Sequence, residues 1–342
     1  MRTPIRLLFC LALLVVTATV SLTQEQQFAS LGDLKLQSGE IIRACRIGYR
    51  TFGQLNADKS NAVLFPTWFG GTTKDLVSSI GPGEIFDSSR YYIIAVDALS
   101  DGVSSSPSNS KLQPGMRFPR ITIRDMVESQ HELLTRVLHI NHLKAVMGIS
   151  MGGMQTFQWM VMYPDFMDKA VPIVGSPRLA AYDLLLWQSE IDSIKNNRAW
   201  KNGHYNQNPD LVGQAEFTAL FLTTPEHYNQ VTSREQLFEQ LQKAKQTPAI
   251  DANDKIRDAE AMMALDISQP FGGSMERAAA AVRAKVFVIV SKHDHMVTPG
   301  PATDFAHLLK AAFMELDSDC GHLAPDCEQA KIKPAIAAFL GK

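Results

Sequence analysis

The sequence predicts an α/β fold: a mostly parallel, doubly wound sheet with a block of helices inserted late in the chain. Three observations predict it. Short apolar runs of strand length alternate with helix-compatible runs between residues 61 and 177, and such alternation builds parallel sheets with helices on their faces. One strand-to-helix junction is Gly148-Ile149-Ser150-Met151-Gly152, a turn that only small neighbours allow. The alternation lapses near Arg178 and resumes after Ala284 with Val286-Phe287-Val288-Ile289-Val290, a run suited to a fully buried strand.

In chain order, Leu34–Leu36 and Ile41–Tyr49 are predicted as antiparallel strands joined through Gln37-Ser38-Gly39-Glu40. Asn61–Phe65 is a short strand that stops at Pro66, and Tyr91–Val96 is another. Residues 100–109 form a Ser/Gly/Pro-rich loop, too polar for core and too long for a simple turn. An amphipathic helix is expected from Ile123 to about His139, then the strand Lys144–Ile149, a helix after it, and the strand Ala170–Val174. Residues 178–284 read as helical, rich in Gln, Asn and Lys and broken by four prolines, so a helical lid is expected between two parts of one core, 24–177 and 285–342. A helix from about Pro301 to Ala312, a strand at Met314–Leu316 and a closing helix from Glu328 to Leu340 complete the pattern.

The composition is ordinary for a globular chain of 342 residues, with 45% hydrophobic and 20% charged. A formal net charge of −2 without a long basic run excludes an obvious nucleic-acid groove or anionic-membrane surface. Arg2 and Arg6 precede an apolar stretch from Leu7 to Val20, followed by Thr23-Gln24-Glu25-Gln26-Gln27. Residues 1–23 therefore read as a secretory signal peptide cleaved between Ala18 and Gln24, with an uncleaved anchor as the rival reading. The expected location is the periplasm or the exterior, with no membrane span after cleavage. Cleavage leaves Cys45, Cys320 and Cys327. Either Cys320 and Cys327 close a small disulfide loop and Cys45 stays free, or all three are buried thiols.

Gly-x-Ser-x-Gly arises by chance roughly once in ten chains of this length, so the strand before it and the helix after it carry the argument. They make it a nucleophile elbow, with Ser150 as nucleophile and Gly148 and Gly152 as the residues the sharp turn demands. A serine hydroxyl needs a base, and the base needs a carboxylate to hold its tautomer. Asp294 lies in the loop after the strand Val286–Val290, at the sheet edge where the groups of open α/β sheets gather. His322 follows the last strand, so Asp294 is assigned as orienter and His322 as base. Asp317 and Asp319 are nearer His322 in sequence but belong to the last strand or its exit. His293 and His295 bracket Asp294 without a further ligand cluster at metal spacing, so no metal and no cofactor are expected. The oxyanion donors are expected to be the backbone N–H groups of Met151 and Trp68.

These residues carry a resemblance. Gly48-Tyr49-Arg50-Thr51-Phe52-Gly53-Gln54-Leu55-Asn56, Thr122-Ile123-Arg124-Asp125-Met126-Val127, Gly148-Ile149-Ser150-Met151-Gly152-Gly153-Met154-Gln155 and Trp200-Lys201-Asn202-Gly203-His204-Tyr205 are similar to motifs of the homoserine O-acetyltransferase group of the α/β-hydrolase superfamily. The resemblance implies an α/β-hydrolase fold, a triad of Ser150, Asp294 and His322, a lid over a tunnel and a homodimer. Two departures bear on substrate. The group has an aspartate after the catalytic Gly-His to recognise the substrate amine, whereas Leu323 follows His322, and residues 205–233 lack the lid arginine that meets the substrate carboxylate. A pocket without both charges would leave a zwitterion unpaired at a cost of several kcal/mol. The expected activity is therefore hydrolysis of a small acyl or other carboxylic ester, with acyl transfer to a different acceptor as the alternative.

Overall fold

The computed structural model describes residues 25–244 and 250–342; the predicted signal segment lies outside them. Among the described residues there are ten strands: β1 (Gln27–Lys35), β2 (Ile41–Phe52), β3 (Ala62–Pro66), β4 (Ile80–Gly81), β5 (Phe86–Asp87), β6 (Tyr92–Val96), β7 (Leu143–Ile149), β8 (Met167–Ile173), β9 (Lys285–Ser291) and β10 (Ala312–Leu316). β4 and β5 pair only with each other, and the remaining eight form one sheet in the order β1-β2-β6-β3-β7-β8-β9-β10. β1, β2 and β6 pair antiparallel, and every pairing from β6 through β10 is parallel. Every residue of β3 is buried, as expected of a strand covered on both faces. The strand order reverses between β3 and β7, which opens a crevice beyond their carboxyl ends. Trp68 and Ser150 follow those two strands.

α1 (Ile123–Glu132) begins at Thr122, whose hydroxyl accepts from the Asp125 amide at 3.2 Å while Asp125 accepts from the Thr122 amide at 2.9 Å. This reciprocal cap satisfies two otherwise orphaned donors. The helix predicted to reach His139 instead widens into a π turn over Leu133–Val137. α2 (Met151–Met162) is buried on nearly every face, and its polar residues are therefore paired. Trp159 Nε1 donates to Gln130, Gln130 donates to Gln155, and Gln155 Nε2 donates to the Thr67 carbonyl at 2.9 Å. This buried relay ties α1 and α2 to the loop that carries Trp68.

Between β8 and β9 the described residues contain α3 (Ala181–Asn196), α4 (Val212–Leu222), α5 (Pro225–Val231), α6 (Arg234–Ala244), α7 (Ala252–Met263) and α8 (Met275–Ala281), with one isolated bridge from Arg178 to Asp266. α9 (Gly300–Leu309), α10 (Ala324–Cys327) and α11 (Gln329–Gly341) follow.

The loop after β6 corrects one expectation. Ser100, Ser104 and Ser106 are fully buried, although the loop's polarity argues for the surface. Its own hydroxyls make burial tolerable. Ser104 Oγ donates to the Asp97 carbonyl at 2.7 Å and accepts from the Gly48 amide at 2.9 Å, and Ser106 Oγ bonds the Ser104 carbonyl and the Gly102 amide. A buried polar segment costs little once each group is paired.

Pairing fails at Asp101 Oδ2 within the loop and at a carboxyl near it, Asp258. Burial pushes Asp254 on α7 up to about 7, with the Asp251 charge adding to it, despite two hydrogen bonds from Ser108. Asp258, one turn on, is raised well above the carboxylate range by burial and by Asp254, and neither of its oxygens has a hydrogen bond of normal geometry. A carboxyl with a raised folded pKa stabilises fully below its unfolded value near 4 and loses that contribution as pH rises toward the folded value. Asp258→Asn is therefore expected to raise the melting temperature by several degrees at pH 8, an advantage that shrinks toward pH 4.5. Thermal unfolding at the two pH values checks it, and a shift independent of pH would contradict it.

Candidate active site

β7 runs out of the sheet at Ile149 and the chain reverses at Ser150, which adopts φ 57°, ψ −121°. A non-glycine residue holds such a conformation only when its surroundings fix it. Here the Ser150 amide donates to the Ile173 carbonyl and its carbonyl accepts from the Met154 amide, at 2.9 and 3.0 Å. The flanking glycines are sterically required. A Cβ on Gly148 would lie 2.1 Å from the Gly152 carbonyl oxygen, and one on Gly152 would lie 2.6 Å from that of Pro66.

The three residues named as nucleophile, base and orienter meet. His322 Nε2 lies 2.9 Å from Ser150 Oγ, and His322 Nδ1 lies 2.7 Å from Asp294 Oδ2. Asp294 is almost wholly buried, and its other oxygen accepts from the Met296 and Val297 amides at 2.8 and 2.9 Å. An ionised Asp294 with those partners makes Nδ1 the protonated nitrogen and leaves the Nε2 lone pair facing the serine. The other nearby acids are engaged elsewhere. Asp317 pairs with Lys292 and His293, and Asp319 with His227. His293 thus turns to the surface, and neither it nor His295 lines the cavity described below.

Asp183, near the start of α3, is a residue the sequence did not signal. It accepts from the Thr298 amide and hydroxyl, both at 3.1 Å, and from the Ala180 amide at 3.0 Å. Burial raises its pKa, and the Asp294 charge adds to the shift. It clasps the acid loop to the inserted helices. The base loop has its own restraints. Gly321 packs so closely that a Cβ would lie 3.0 Å from Thr223 Cα, and the Thr224 amide donates to the Asp319 carbonyl at 3.1 Å. Cys320 and Cys327, separated by seven positions, form a disulfide across the segment that contains His322, which settles the open choice for these two thiols. Cys45 is free and buried, and burial pushes its thiol up to about 12, so it is inert at ordinary pH. Among the described residues, the one group of three metal-type donors close together is His227, Cys320 and Cys327, two of which are the bonded sulfurs.

Ser150 and His322 open into a cavity of about 300 Å³. Trp68, at the exit of β3, lines it, and Met151 opens α2, where backbone N–H groups have no acceptor within the helix. Trp187, Thr218 and Leu222 from α3 and α4 cover it. Among the described residues that line it there is no lysine or arginine, but Asp326 is one of them. That carboxylate corrects the expectation of a pocket without one. His322 begins a helical stretch through Gly321–Leu323 and α10, so the residue four positions on returns to the same side.

The family described as alpha/beta hydrolase fold matches residues 63–326. An ethyl acetate hydrolase of Pseudomonas veronii is 33% identical over 331 residues, covering 92% of this chain and 94% of the relative. A homoserine O-acetyltransferase of Pelobacter propionicus is 29% identical over 365 residues, covering 94% and 97%. Among solved structures, the acetyl esterase MekB superposes with a TM-score of 0.87 at 30% identity, covering 93% of this chain and 97% of that one.

Proposed function

Because the chain belongs to the alpha/beta hydrolase fold family, and is an enzyme of its esterase and acyltransferase kind, we propose that it is an exported serine esterase acting through an acyl-Ser150 intermediate. The observation that carries this reading is the continuous hydrogen-bonded chain Ser150–His322–Asp294 at the floor of a small cavity. In the proposed sequence, Ser150 Oγ attacks the ester carbonyl as His322 Nε2 takes its proton. The developing oxyanion is held by the Met151 and Trp68 N–H groups. Collapse breaks the C–O bond, and His322 returns the proton to the leaving alcohol. Water, activated by the same base, then releases the acid.

Relatives named for hydrolysis of acetyl esters support water as acceptor. The homoserine O-acetyltransferase relative favours a second reading, transfer to another alcohol, but no lysine or arginine among the described lining residues would pair with a substrate carboxylate. The test uses the purified chain with p-nitrophenyl acetate and ethyl acetate, and fluorophosphonate labelling mapped by peptide mass spectrometry. Turnover of both esters and one label per chain, on Ser150, are expected. Absence of turnover and label would sink the esterase reading, while acetyl transfer from acetyl-CoA to a panel of alcohols faster than hydrolysis would select the second. Export is tested separately, by an N-terminus lying between residues 19 and 24 in protein recovered from outside the cytoplasm.

A further inference from the structure

We infer that Asp326 makes the alcohol half of this cavity a subsite for a cationic alcohol part, so that esters of amino alcohols are preferred over neutral esters of the same shape. The inference rests on the esterase reading above and adds the substrate class to it.

The argument starts from where the two halves of an ester must lie. His322 has to pass its proton to the leaving alkoxide, so the alcohol oxygen sits within hydrogen-bond reach of Nε2. The wall that continues from His322 is Leu323, Pro325 and Asp326, all of which line the cavity. The alcohol part therefore runs along that wall. Asp326 is the single carboxylate among the described lining residues.

That carboxylate is unspent. Among the described residues it has neither a hydrogen bond nor a salt bridge, and the His322 ring is its ionisable neighbour. The residue as a whole is exposed, yet partial burial of its carboxyl raises its pKa, a rise that a charge on His322 would oppose. A neutral alcohol part would strip water from the carboxylate and return nothing, whereas an ammonium replaces that water with an opposite charge. The remaining walls suit a weakly hydrated cation as well, because Trp68, Phe69 and Trp187 line the same cavity, and aromatic faces attract cations. An ester formed on the side-chain hydroxyl of an amino acid is a poorer fit, because its free carboxylate would meet no lysine or arginine among the described lining residues.

The test pairs 2-(trimethylammonio)ethyl acetate with 3,3-dimethylbutyl acetate, which match in shape and differ by one charge. In the unmodified enzyme the ratio of kcat/KM values, charged over neutral, is expected to be about ten, the size of a partly exposed ion pair with aromatic support. In Asp326→Asn the ratio falls toward one, and in the unmodified enzyme it falls as sodium chloride rises from 0.05 to 0.5 M. Circular dichroism and the melting temperature establish that the variant is folded. A ratio near one in the unmodified enzyme, or a ratio that Asp326→Asn leaves intact, overturns the inference. p-Nitrophenyl acetate separates the two failures. Its turnover alongside a ratio of one leaves the esterase reading standing, and no turnover of any of the three esters removes both.

Discussion

Ser150→Ala is expected to lower kcat/KM for a short acetate ester by at least about a thousandfold, with His322→Ala falling as far and the double variant no further. The reason is that the residues act as one proton-transfer unit. Without the hydroxyl, the lone pair that His322 aims at 2.9 Å has no nucleophile to activate. Without the imidazole, a serine hydroxyl keeps its proton at neutral pH and attacks slowly. Asp294→Asn belongs to the same series. Asn placed between the Met296 and Val297 amides and His322 Nδ1 favours the wrong tautomer, which puts the proton on Nε2 and blocks the base, and a loss of about four orders of magnitude in kcat is the scale for that error. Steady-state kinetics on the four variants check this. Additive losses in the double variant would mean that the hydrogen-bonded chain is not the reacting unit.

Gly148→Ala has the second large effect, on the fold. The added methyl would sit 2.1 Å from the Gly152 carbonyl oxygen, far inside van der Waals contact, and no flexible side chain stands there to move aside. The backbone on both sides is fixed: β7 is paired with β3 and β8, and Gly152 packs against Pro66. Relief requires the elbow to open, which pulls Ser150 from His322. A destabilisation of about 3 kcal/mol or more, or a melting temperature lower by about 10 °C, is expected together with loss of esterase activity. Scanning calorimetry beside an activity assay checks both. An active variant with an unchanged melting temperature would show that the elbow is looser than its contacts imply.

The elbow was legible in the sequence because steric demand is local: five residues, with two required glycines, between a strand and a helix. Asp294 was legible because an apolar run as strong as Val286–Val290 announces a buried strand, and the loop beyond its end faces the crevice. The burial of Ser100, Ser104 and Ser106 was not legible. Serines there satisfy one another through hydroxyl-to-backbone bonds, and that pairing leaves no mark in a hydrophobicity pattern. Asp183 was hidden for a similar reason, since its partner Thr298 lies 115 residues away. Asp326 reaches the cavity only because the chain turns helical immediately after Cys320, in a stretch whose Gly and Pro argue for a loop. A period of four residues starting at His322 was the signal that would have found it.

The separation of the reacting groups along the chain has a kinetic meaning. Ser150 and His322 are 172 residues apart, and their meeting requires β7, β8, β9 and β10 to be stacked side by side, the non-local parallel pairing that closes slowly. A chain part-way through folding holds a serine that is only an alcohol. Recovery of ester turnover after dilution from denaturant therefore clocks completion of the sheet, and should trail the return of helical signal from segments such as α2, whose helical hydrogen bonds join residues four apart.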